Sequence, residues 1–314
     1  MAAVDPGAPL LLVDRRTGAL VEERVFGGLG LRRIYSGGPA SRVLSRVMPH
    51  PWVSALYGRL QRTPRSRRKI ARFVHDLGVD ASEASLPLAD YPSLDAFFTR
   101  RLRAGARPLD PSPDALVSPA DGRALAFVGG EAPLPVKGST VTLRDLLDRP
   151  VPFARAAVLI VRLAPADYHR FHAPCAGVLS APRAVGGLLH SVHPIALAAG
   201  APSFANRRHV SCLQSARLGE LFLVEVGAML VGEIERTRAA GPVEKGDELG
   251  LFHFGGSTVV VVADAARVSL DVDLLGNSAR GLETLVRMGE RVAALGAGQG
   301  QVHDDAPSGV VSRE

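Results

Sequence analysis

The feature that constrains the fold most is a run of four consecutive valines, Val259–Val262, which follows a glycine-rich turn. Four β-branched residues in a row are typical of a strand that is buried on both faces. Gly255 and Gly256 predict a tight turn just ahead of it. Ser257 is therefore predicted to open a buried strand. In isolation, a glycine-rich turn before a strand is more often only a turn than a functional site.

Length and composition indicate a globular chain. Its 314 residues suffice for one large domain or two moderate ones, with 46 % hydrophobic and 22 % charged residues. The first residues lack the basic start of a signal peptide, and no apolar run reaches the roughly 18 residues of a membrane-spanning helix. Cys175 and Cys212 do not form a C-x-x-C pair. Buried free thiols in a reducing compartment are therefore expected.

Positive charge is concentrated between residues 24 and 75, where twelve arginines and lysines occur without an acidic residue. In this segment Trp52, Leu56 and Leu60 recur at helical spacing and are followed by a run of arginines. An apolar stripe beside arginines suits a helix that lies in a membrane interface. An ordinary domain helix with a solvated basic face predicts the same pattern equally well. Nucleic acid is the weakest alternative, because nothing resembles a reading motif.

Changes in pattern divide the chain into four parts. Residues 1–23 are predicted to form a leader, 24–110 a basic helical region that would associate with a membrane on the first of these interpretations, 111–298 a β-rich core and 299–314 a disordered tail. In the third part, short apolar runs separated by Gly and Pro are typical of β-structure. Recurrent P-x-x-G turns fit a barrel-like sandwich. The predicted fold is α+β, with N-terminal helices followed by a β-rich barrel-like core.

Two further polar clusters could converge on Ser257. One contains Asp121 in a Ser-Pro-Ala-Asp-Gly turn, and the other contains His169 and His172, three residues apart. Alone, the first is more often a plain turn and each histidine a buried structural residue. No cysteine or acid has ligand spacing with the histidines, so no metal site is predicted. Together, a carboxylate could orient an imidazole that takes the serine proton.

The surroundings of Ser257 argue against an ordinary serine hydrolase. The G-x-S-x-G elbow is absent, and Ser257 opens a strand rather than a helix. Directly after two glycines, this serine is badly placed to receive an external ester. It is well placed to attack the carbonyl group of Gly256, the residue immediately before it.

Eight segments within about residues 50–295 together resemble one family. They are FFTRRL with RPL, SPADG, VKGSTVTLRDLL, DYHRFHAP, HSVHPIAL, FANRR, EVGAMLVGEI and KGDELGLFHFGGST. In this order the chain resembles the phosphatidylserine decarboxylase proenzymes, the pyruvoyl-dependent enzymes of phosphatidylethanolamine synthesis. One such motif would mean little, whereas eight in order are highly specific.

The resemblance implies a proenzyme that cuts itself between Gly256 and Ser257. By that resemblance Ser257 attacks the carbonyl group of Gly256, His172 acts as the base and Asp121 fixes the tautomer of His172. The new chain then begins with a pyruvoyl group derived from Ser257, a covalent cofactor that serves as an electron sink while carbon dioxide leaves. His169 is assigned as the acid that returns a proton to the substrate carbon.

The resemblance also implies phosphatidylserine as the substrate and a peripheral location on the cytoplasmic side of the cell membrane. The expected partners are an anionic membrane surface and the two cleaved chains themselves, with a homodimer left open and no nucleic acid. Two positions depart from the family pattern. Arg207 stands where the family commonly has Glu, and Glu233 where it commonly has a small or polar residue. Both could alter loops near the substrate.

Two alternative functions remain at this point. The turn around Lys245 is similar to the hairpins of biotinyl and lipoyl domains, which predicts a non-catalytic carrier module. Such a module has no use for Asp121, His172 and Ser257 in their family context. A Ser-His-Asp hydrolase is the other alternative. It would remain one chain and react at Ser257 with a fluorophosphonate.

Overall fold

A computed structural model provides the structure of the chain. It describes residues 10–23, 39–130, 132–136, 139–192, 196, 202–229, 233–255 and 257–296. Several sequence predictions lie outside the described residues: the first part of the leader (1–9), the start of the basic region (24–38), Gly256 on one side of the expected cleavage point, and the tail 299–314.

Helices are concentrated before residue 100. They are α1 Pro39–Val47, α2 Pro51–Gln61, α3 Ile70–Leu77, α4 Leu94–Phe98, α5 Leu143–Leu147 and α6 Val272–Ala279. Short 3₁₀ helices lie at Pro64–Lys69, Ala81–Glu83, Leu88–Asp90 and Ser203–Ala205. Within the described ranges, no helix combines the length and the apolar character needed to cross a bilayer.

Helix α4 is shorter than its sequence pattern predicts. The pattern predicts a helix over residues 94–103 that follows an N-cap at Ser93. The cap is present, because the Ser93 hydroxyl accepts a hydrogen bond from the backbone N–H of Ala96 at 3.2 Å. Beyond the helix, the carbonyl of Arg101 accepts the backbone N–H of Ser85 at 2.9 Å. This contact with a neighbouring loop replaces the predicted last turn.

The strands make up most of the remaining chain. They are β1 Leu11–Asp14, β2 Leu20–Glu22, β3 Ala115–Val117, β4 Gly122–Gly129, β5 Leu134–Val136, β6 Ser139–Val141, β7 Ala156–Leu163, β8 Arg170–His172, β9 Gly177–Leu179, β10 Arg183–Val185, β11 Arg208–Ser215, β12 Gly219–Gly227, β13 Ile234–Arg236, β14 Gly241–Val243, β15 Glu248–Phe252, β16 Ser257–Asp264, β17 Val268–Leu270, β18 Glu283–Val286 and β19 Arg291–Leu295.

One 11-stranded sheet dominates this mixed α/β architecture. Its order is β14-β9-β11-β12-β16-β7-β4-β18-β1-β2, with β10 also paired to β11. Three small sheets, β13-β15-β8, β17-β19-β3 and β5-β6, complete the structure. The path of the large sheet runs from β14 to β2 without closing among the described strands. The prediction of helices followed by a β-rich core is confirmed, whereas its barrel-like shape is not.

The valine run is buried on both faces, as its composition predicts. In β16, Val259 and Val261 pack into one hydrophobic core, while Val260 and Val262 pack into the core on the opposite face. Successive side chains of a strand point to opposite faces, so a strand between two cores needs an apolar residue at every position. Strand β16 is thereby fixed at the centre of the large sheet, between β12 and β7.

A third core joins the helices to the segment before Ser257. Phe254 lies 4.7 Å from Phe98 and 5.9 Å from Phe73, measured between ring centroids, and 5.7 Å from Tyr57. Complete burial of a phenylalanine side chain contributes about 1.5–3 kcal/mol. The chain that leads into β16 is therefore held against α2, α3 and α4.

Candidate active site

Ser257 occupies the first position of the central strand. Its register partners are Gly227 in β12 and Leu163 in β7, and it is fully buried. The turn before it contains Gly255 with a φ of 139°, a conformation that residues with side chains rarely adopt. The predicted strand is therefore present, and it fixes the Ser257 hydroxyl inside the protein; of the two predicted turn glycines, only Gly255 lies among the described residues.

The hydroxyl of Ser257 contacts His169. The distance from Ser257 Oγ to His169 Nδ1 is 3.4 Å, and His169 Nε2 lies 3.0 Å from the carbonyl oxygen of Ala164. A carbonyl oxygen only accepts, so Nε2 carries the ring proton of a neutral His169. Nδ1 is then left bare and accepts the serine O–H. The contact is longer than an ordinary hydrogen bond, as is common for catalytic groups before substrate binds.

His169 is kept neutral by its surroundings. Burial, together with the charges of Arg100 and Arg123, lowers the pKa of His169 to about 3 against the opposing hydrogen bond to Ala164. The ring of Phe98 stacks on the imidazole at 3.8 Å between centroids. A neutral imidazole with a bare nitrogen beside a serine hydroxyl can accept the serine proton.

His172 has different partners. Its Nδ1 lies 2.9 Å from the carbonyl oxygen of Gly246, and its Nε2 lies 3.1 Å from the hydroxyl of Tyr168. Burial lowers the pKa of His172 and raises that of Tyr168, so the tyrosine hydroxyl donates to a neutral imidazole. Nε2, the unprotonated nitrogen of His172, thus already accepts a hydrogen bond from the Tyr168 hydroxyl.

Asp121 forms an ion pair with Arg107. Within the described residues, its carboxylate makes no hydrogen bond to a histidine. Its carboxylate accepts a hydrogen bond from Arg107 Nη2 at 2.6 Å, a shared one from Arg107 Nε at 2.9 and 3.0 Å, and one from the backbone N–H of Met288 at 2.9 Å. The backbone N–H of His172 donates to the carbonyl of Pro119 at 2.8 Å, which brings the Asp121 turn next to His172. The negative charge of Asp121 accordingly opposes part of the lowering of the His172 pKa that burial causes.

The four predicted site residues are therefore only partly joined. Ser257 and His169 are in contact, and Asp121 is a neighbour of His172. Among the residues that the structure describes, the two hydrogen bonds of the predicted triad, Asp121 to His172 and His172 to Ser257, are not formed. The roles assigned to these residues remain predictions.

Comparison with known proteins decides the family. The family model for phosphatidylserine decarboxylase matches residues 94–294. The phosphatidylserine decarboxylase proenzyme of Chlamydia muridarum is 38 % identical over 287 residues, 89 % of this chain and 95 % of the relative. The chain belongs to the phosphatidylserine decarboxylase family. Two further phosphatidylserine decarboxylase proenzymes support this. The one from Fusobacterium nucleatum is 36 % identical over 89 % of this chain and 95 % of the relative. The one from Desulfitobacterium hafniense is 37 % identical over 89 % of this chain and 96 % of the relative.

Several residues of the site were not singled out from the sequence, although they lie in segments that resemble the family. The Tyr168 hydroxyl donates a hydrogen bond to His172, the Phe98 ring stacks on His169, and Arg107 donates hydrogen bonds to Asp121. Asp167 accepts the backbone N–H of Ala164 at 2.6 Å and so fixes the loop whose carbonyl receives His169. Their positions within DYHRFHAP, FFTRRL and RPL were the available signal, but residue type alone did not reveal these contacts.

A cavity of about 560 Å³ reaches the strand position beside Ser257. Its wall includes Gly227, the register partner of Ser257, and Phe254, three residues before it. Arg207 and Glu233, the two departures from the family pattern, both line this cavity. The remaining charged or titratable lining residues are Arg59, Arg62, His209 and His253.

In the described part of the chain, no group of three or more His, Cys, Asp or Glu side chains is arranged to hold a metal ion. Cys175 is a buried free thiol and Cys212 is a half-buried one.

Proposed function

We propose that the protein is a self-processing, pyruvoyl-dependent phosphatidylserine decarboxylase. The observation that carries the proposal is a buried serine that opens the central strand after two glycines, in contact with a neutral histidine. Membership of a family whose relatives are named proenzymes supports the same conclusion. The carrier-module and hydrolase alternatives receive no support from the relatives.

Self-processing begins at the Gly256–Ser257 peptide bond. Ser257 Oγ attacks the carbonyl carbon of Gly256 and gives its proton to a histidine, and the peptide C–N bond breaks to leave an ester. Elimination across the Cα–Cβ bond of residue 257 releases the carboxylate of Gly256. Water then replaces the nitrogen of the resulting enamine, ammonia leaves, and a pyruvoyl group remains at the start of the smaller chain.

The proton acceptor in this step is one of two histidines. The resemblance to the family assigns it to His172, oriented by Asp121, and we retain that assignment as the proposal. In support, the Asp121 turn is bonded to the backbone of His172. His172 would have to exchange Tyr168 for Ser257 as its partner. His169, already in contact with Ser257, is the competing candidate.

The position of His169 supports its proposed role in decarboxylation. A pyruvoyl group at position 257 would supply an electron sink for the electrons released with carbon dioxide. His169 Nδ1 lies 3.4 Å from the oxygen of residue 257, within reach of chemistry at that position. We propose that this nitrogen, bare in the neutral ring, takes up the solvent proton that decarboxylation consumes and delivers it to the substrate carbon after carbon dioxide leaves.

The cavity supports a site for the lipid head group. A phosphatidylserine head group carries a phosphate, a carboxylate and an ammonium group. Arg59 and Arg207 offer guanidinium groups that match phosphate and carboxylate geometry. Arg62 and Glu233 form an ion pair with each other, and this pair would open to bind an acidic group and the ammonium group of the lipid. We propose that the head group enters here, with its serine moiety directed toward the wall at Gly227.

The two cleaved chains should remain associated. The smaller chain would begin with β16, which is paired on both sides, to β12 and to β7. It would also supply β18, paired to β4 and β1. Separation would expose the valines of β16 and break these ladders, so we propose a tight complex of both pieces. A homodimer of such complexes stays open.

Helix α2 supports docking on a membrane. Trp52, Leu56 and Leu60 are 60, 54 and 54 % exposed, whereas the polar residues Ser54 and Gln61 of the same helix are buried. This is the reverse of the pattern expected for a helix whose outer face meets water. We propose that α2 lies in an anionic membrane surface, which places the protein peripherally on the cytoplasmic side of the cell membrane.

Vesicle binding should depend on both charge and the apolar stripe. Each Lys or Arg near an anionic surface contributes about 1 kcal/mol, so four of them would change partitioning about a thousandfold. Raising the salt concentration should weaken sedimentation with anionic vesicles without abolishing it, because salt does not screen the apolar contribution. Trp52→Glu with Leu56→Glu should remove most of the remainder.

Val272→Glu provides the matched control, because Val272 on α6 is 85 % exposed but lies outside this surface. Trp52 is the single tryptophan of the chain, so its fluorescence reports docking directly and should shift to the blue. Unchanged fluorescence, or equal binding of the double variant and the control, would place the membrane contact elsewhere.

The proposed reaction is tested with the purified full chain and phosphatidylserine in mixed micelles. We expect release of carbon dioxide and formation of one phosphatidylethanolamine per carbon dioxide. Phosphatidylglycerol, which has a phosphate but no amine or carboxylate in its head group, is the control and should not react. A cleaved protein that releases no carbon dioxide from phosphatidylserine would contradict the assigned substrate.

A further inference from the structure

His253, four residues before Ser257, lies between two carboxylates. Its Nδ1 is 2.9 Å from Asp95 Oδ2, and its Nε2 is 2.9 Å from Glu235 Oε2. An ionised carboxylate only accepts hydrogen bonds, so both ring nitrogens carry protons when both contacts are made. His253 is then a doubly bonded imidazolium cation. Its charge state differs from that of His169, which is buried and neutral.

Asp95 connects this cation to the backbone of the same segment. Its side chain is largely buried, and its Oδ1 accepts the backbone N–H of Phe254 at 3.1 Å. Arg62 also approaches, with its Nε 3.4 Å from Asp95 Oδ2. Burial alone would raise the pKa of Asp95, but the hydrogen bond and charge of His253, with the Phe254 N–H and the charge of Arg62, outweigh it and lower the pKa. Asp95 thus stays ionised.

The contacts continue from this segment to the reacting serine. Phe254 packs on Phe98 at 4.7 Å between ring centroids, and Phe98 stacks on His169 at 3.8 Å. His169 in turn contacts Ser257. A shift of the Phe254 backbone would therefore disturb both the peptide that leads to the cleavage point and the histidine beside the nucleophile.

We propose that Asp95, His253 and Glu235 form a charged clamp that positions residues 253–255 for self-cleavage at Ser257. The inference rests on the proposed self-processing function. In this account His253 is a positioning residue, because it acts through Phe254 and the chain ahead of the cleaved bond. The clamp joins α4 to β13 and the segment after β15, and Asp95 and His253 are 158 positions apart in sequence.

The clamp should be sensitive to pH. Asp95 on α4, Glu235 on β13, and Arg62 just after α2 are the charged groups that act on the His253 ring. Glu233, which pairs with Arg62, and Arg207 and His209 line the same cavity. Burial opposes its charge, but the hydrogen bond and charge of Asp95 and the hydrogen bond of Glu235 outweigh burial and raise the pKa of His253. The clamp is therefore complete below the ordinary histidine pKa of about 6.5. It is lost as pH rises through the raised value.

The test measures cleavage of the full chain after cell-free synthesis, by the appearance of the smaller piece after synthesis is stopped. His253→Gln and Asp95→Asn should each slow cleavage about tenfold, because each removes a charge-assisted hydrogen bond. The double variant should be little slower than either single variant, because both act through one clamp. His75→Gln is the matched control: His75 contacts Asp76 at 3.2 Å, but its side chain is 88 % exposed.

The pH profile separates positioning from a general loss of fold. The ratio of wild-type to His253→Gln cleavage rates should be largest near pH 6 and approach one at high pH, where wild-type His253 loses its proton. Equal rates, or a ratio independent of pH, would overturn the clamp. If wild-type protein is not cleaved at all, the proposed function fails instead.

Should His253→Gln fail to fold, the uncleaved Ser257→Ala protein still decides the matter by NMR titration of its histidines. The clamp predicts that His253 titrates above the ordinary pKa and that Asp95→Asn lowers its pKa. A His253 that titrates at or below the ordinary value would overturn the inference.

Discussion

Replacing Ser257 by alanine should leave the protein as one chain and abolish decarboxylation of phosphatidylserine. Alanine has no oxygen to attack the preceding carbonyl and cannot become a pyruvoyl group. The loss should therefore be complete to the limit of detection, rather than the partial loss expected from a positioning residue. A denaturing gel and a carbon dioxide assay measure both effects on the same sample.

Ser269→Ala is the matched control, because Ser269 is an exposed serine in strand β17. It should be cut and active like the wild type. A Ser257→Ala chain that is still cut at the same bond would remove Ser257 from self-processing. An uncut chain that retained decarboxylation would remove the pyruvoyl group from the reaction.

The two histidines of the DYHRFH segment should give separable losses. His172→Ala is expected to stay uncut. His169→Ala is expected to be cut at least in part and yet to lose decarboxylation. Removal of a general acid or base typically costs about a hundred- to ten-thousandfold in rate, so both losses should be large. The cut fraction from a gel and the activity per cut molecule separate the two steps.

The exchanged result would assign the cleavage base to His169. In that case His169→Ala stays uncut and His172→Ala is processed, as the 3.4 Å contact between His169 and Ser257 would then explain. Tyr168→Phe is informative beside them. It removes the hydroxyl that occupies His172 Nε2 at 3.1 Å, so it should speed cleavage if His172 must turn toward Ser257.

The large elements of the fold follow from local sequence patterns. The valines of β16 predict a strand with two buried faces, and they pack into two separate cores. Trp52, Leu56 and Leu60 predict a helix, and they lie along α2. Ser93 predicts the start of α4 and caps it. These signals are local, so they hold without knowledge of the rest of the chain.

The contacts of the site depend on chain segments that are distant in sequence. His169 and His172 are three residues apart, and in an extended chain such residues point to opposite sides. The sequence therefore indicates that the two side chains have different surroundings, but it does not show which one contacts Ser257. Nothing local pairs Asp95 with His253, which are 158 positions apart. Such contacts arise only when separate elements pack together.

Whether the strands of the core close into a barrel was also beyond the sequence. Recurrent P-x-x-G turns indicate many short strands, but the turns do not specify which strands pair at the edges. The described sheet ends at β14 on one side and at β2 on the other. Edge pairing is set by long-range register, and a turn motif carries no information about it.

Intact-mass analysis of the purified protein under denaturing conditions tests the central claim most directly. The account predicts two pieces, the smaller covering 58 residues, from position 257 to 314. The amino terminus of the smaller piece should resist Edman sequencing, because a pyruvoyl group has no amine, and it should react with a hydrazide. A single uncut chain, or a small piece that begins with a free serine amine, would contradict the pyruvoyl mechanism.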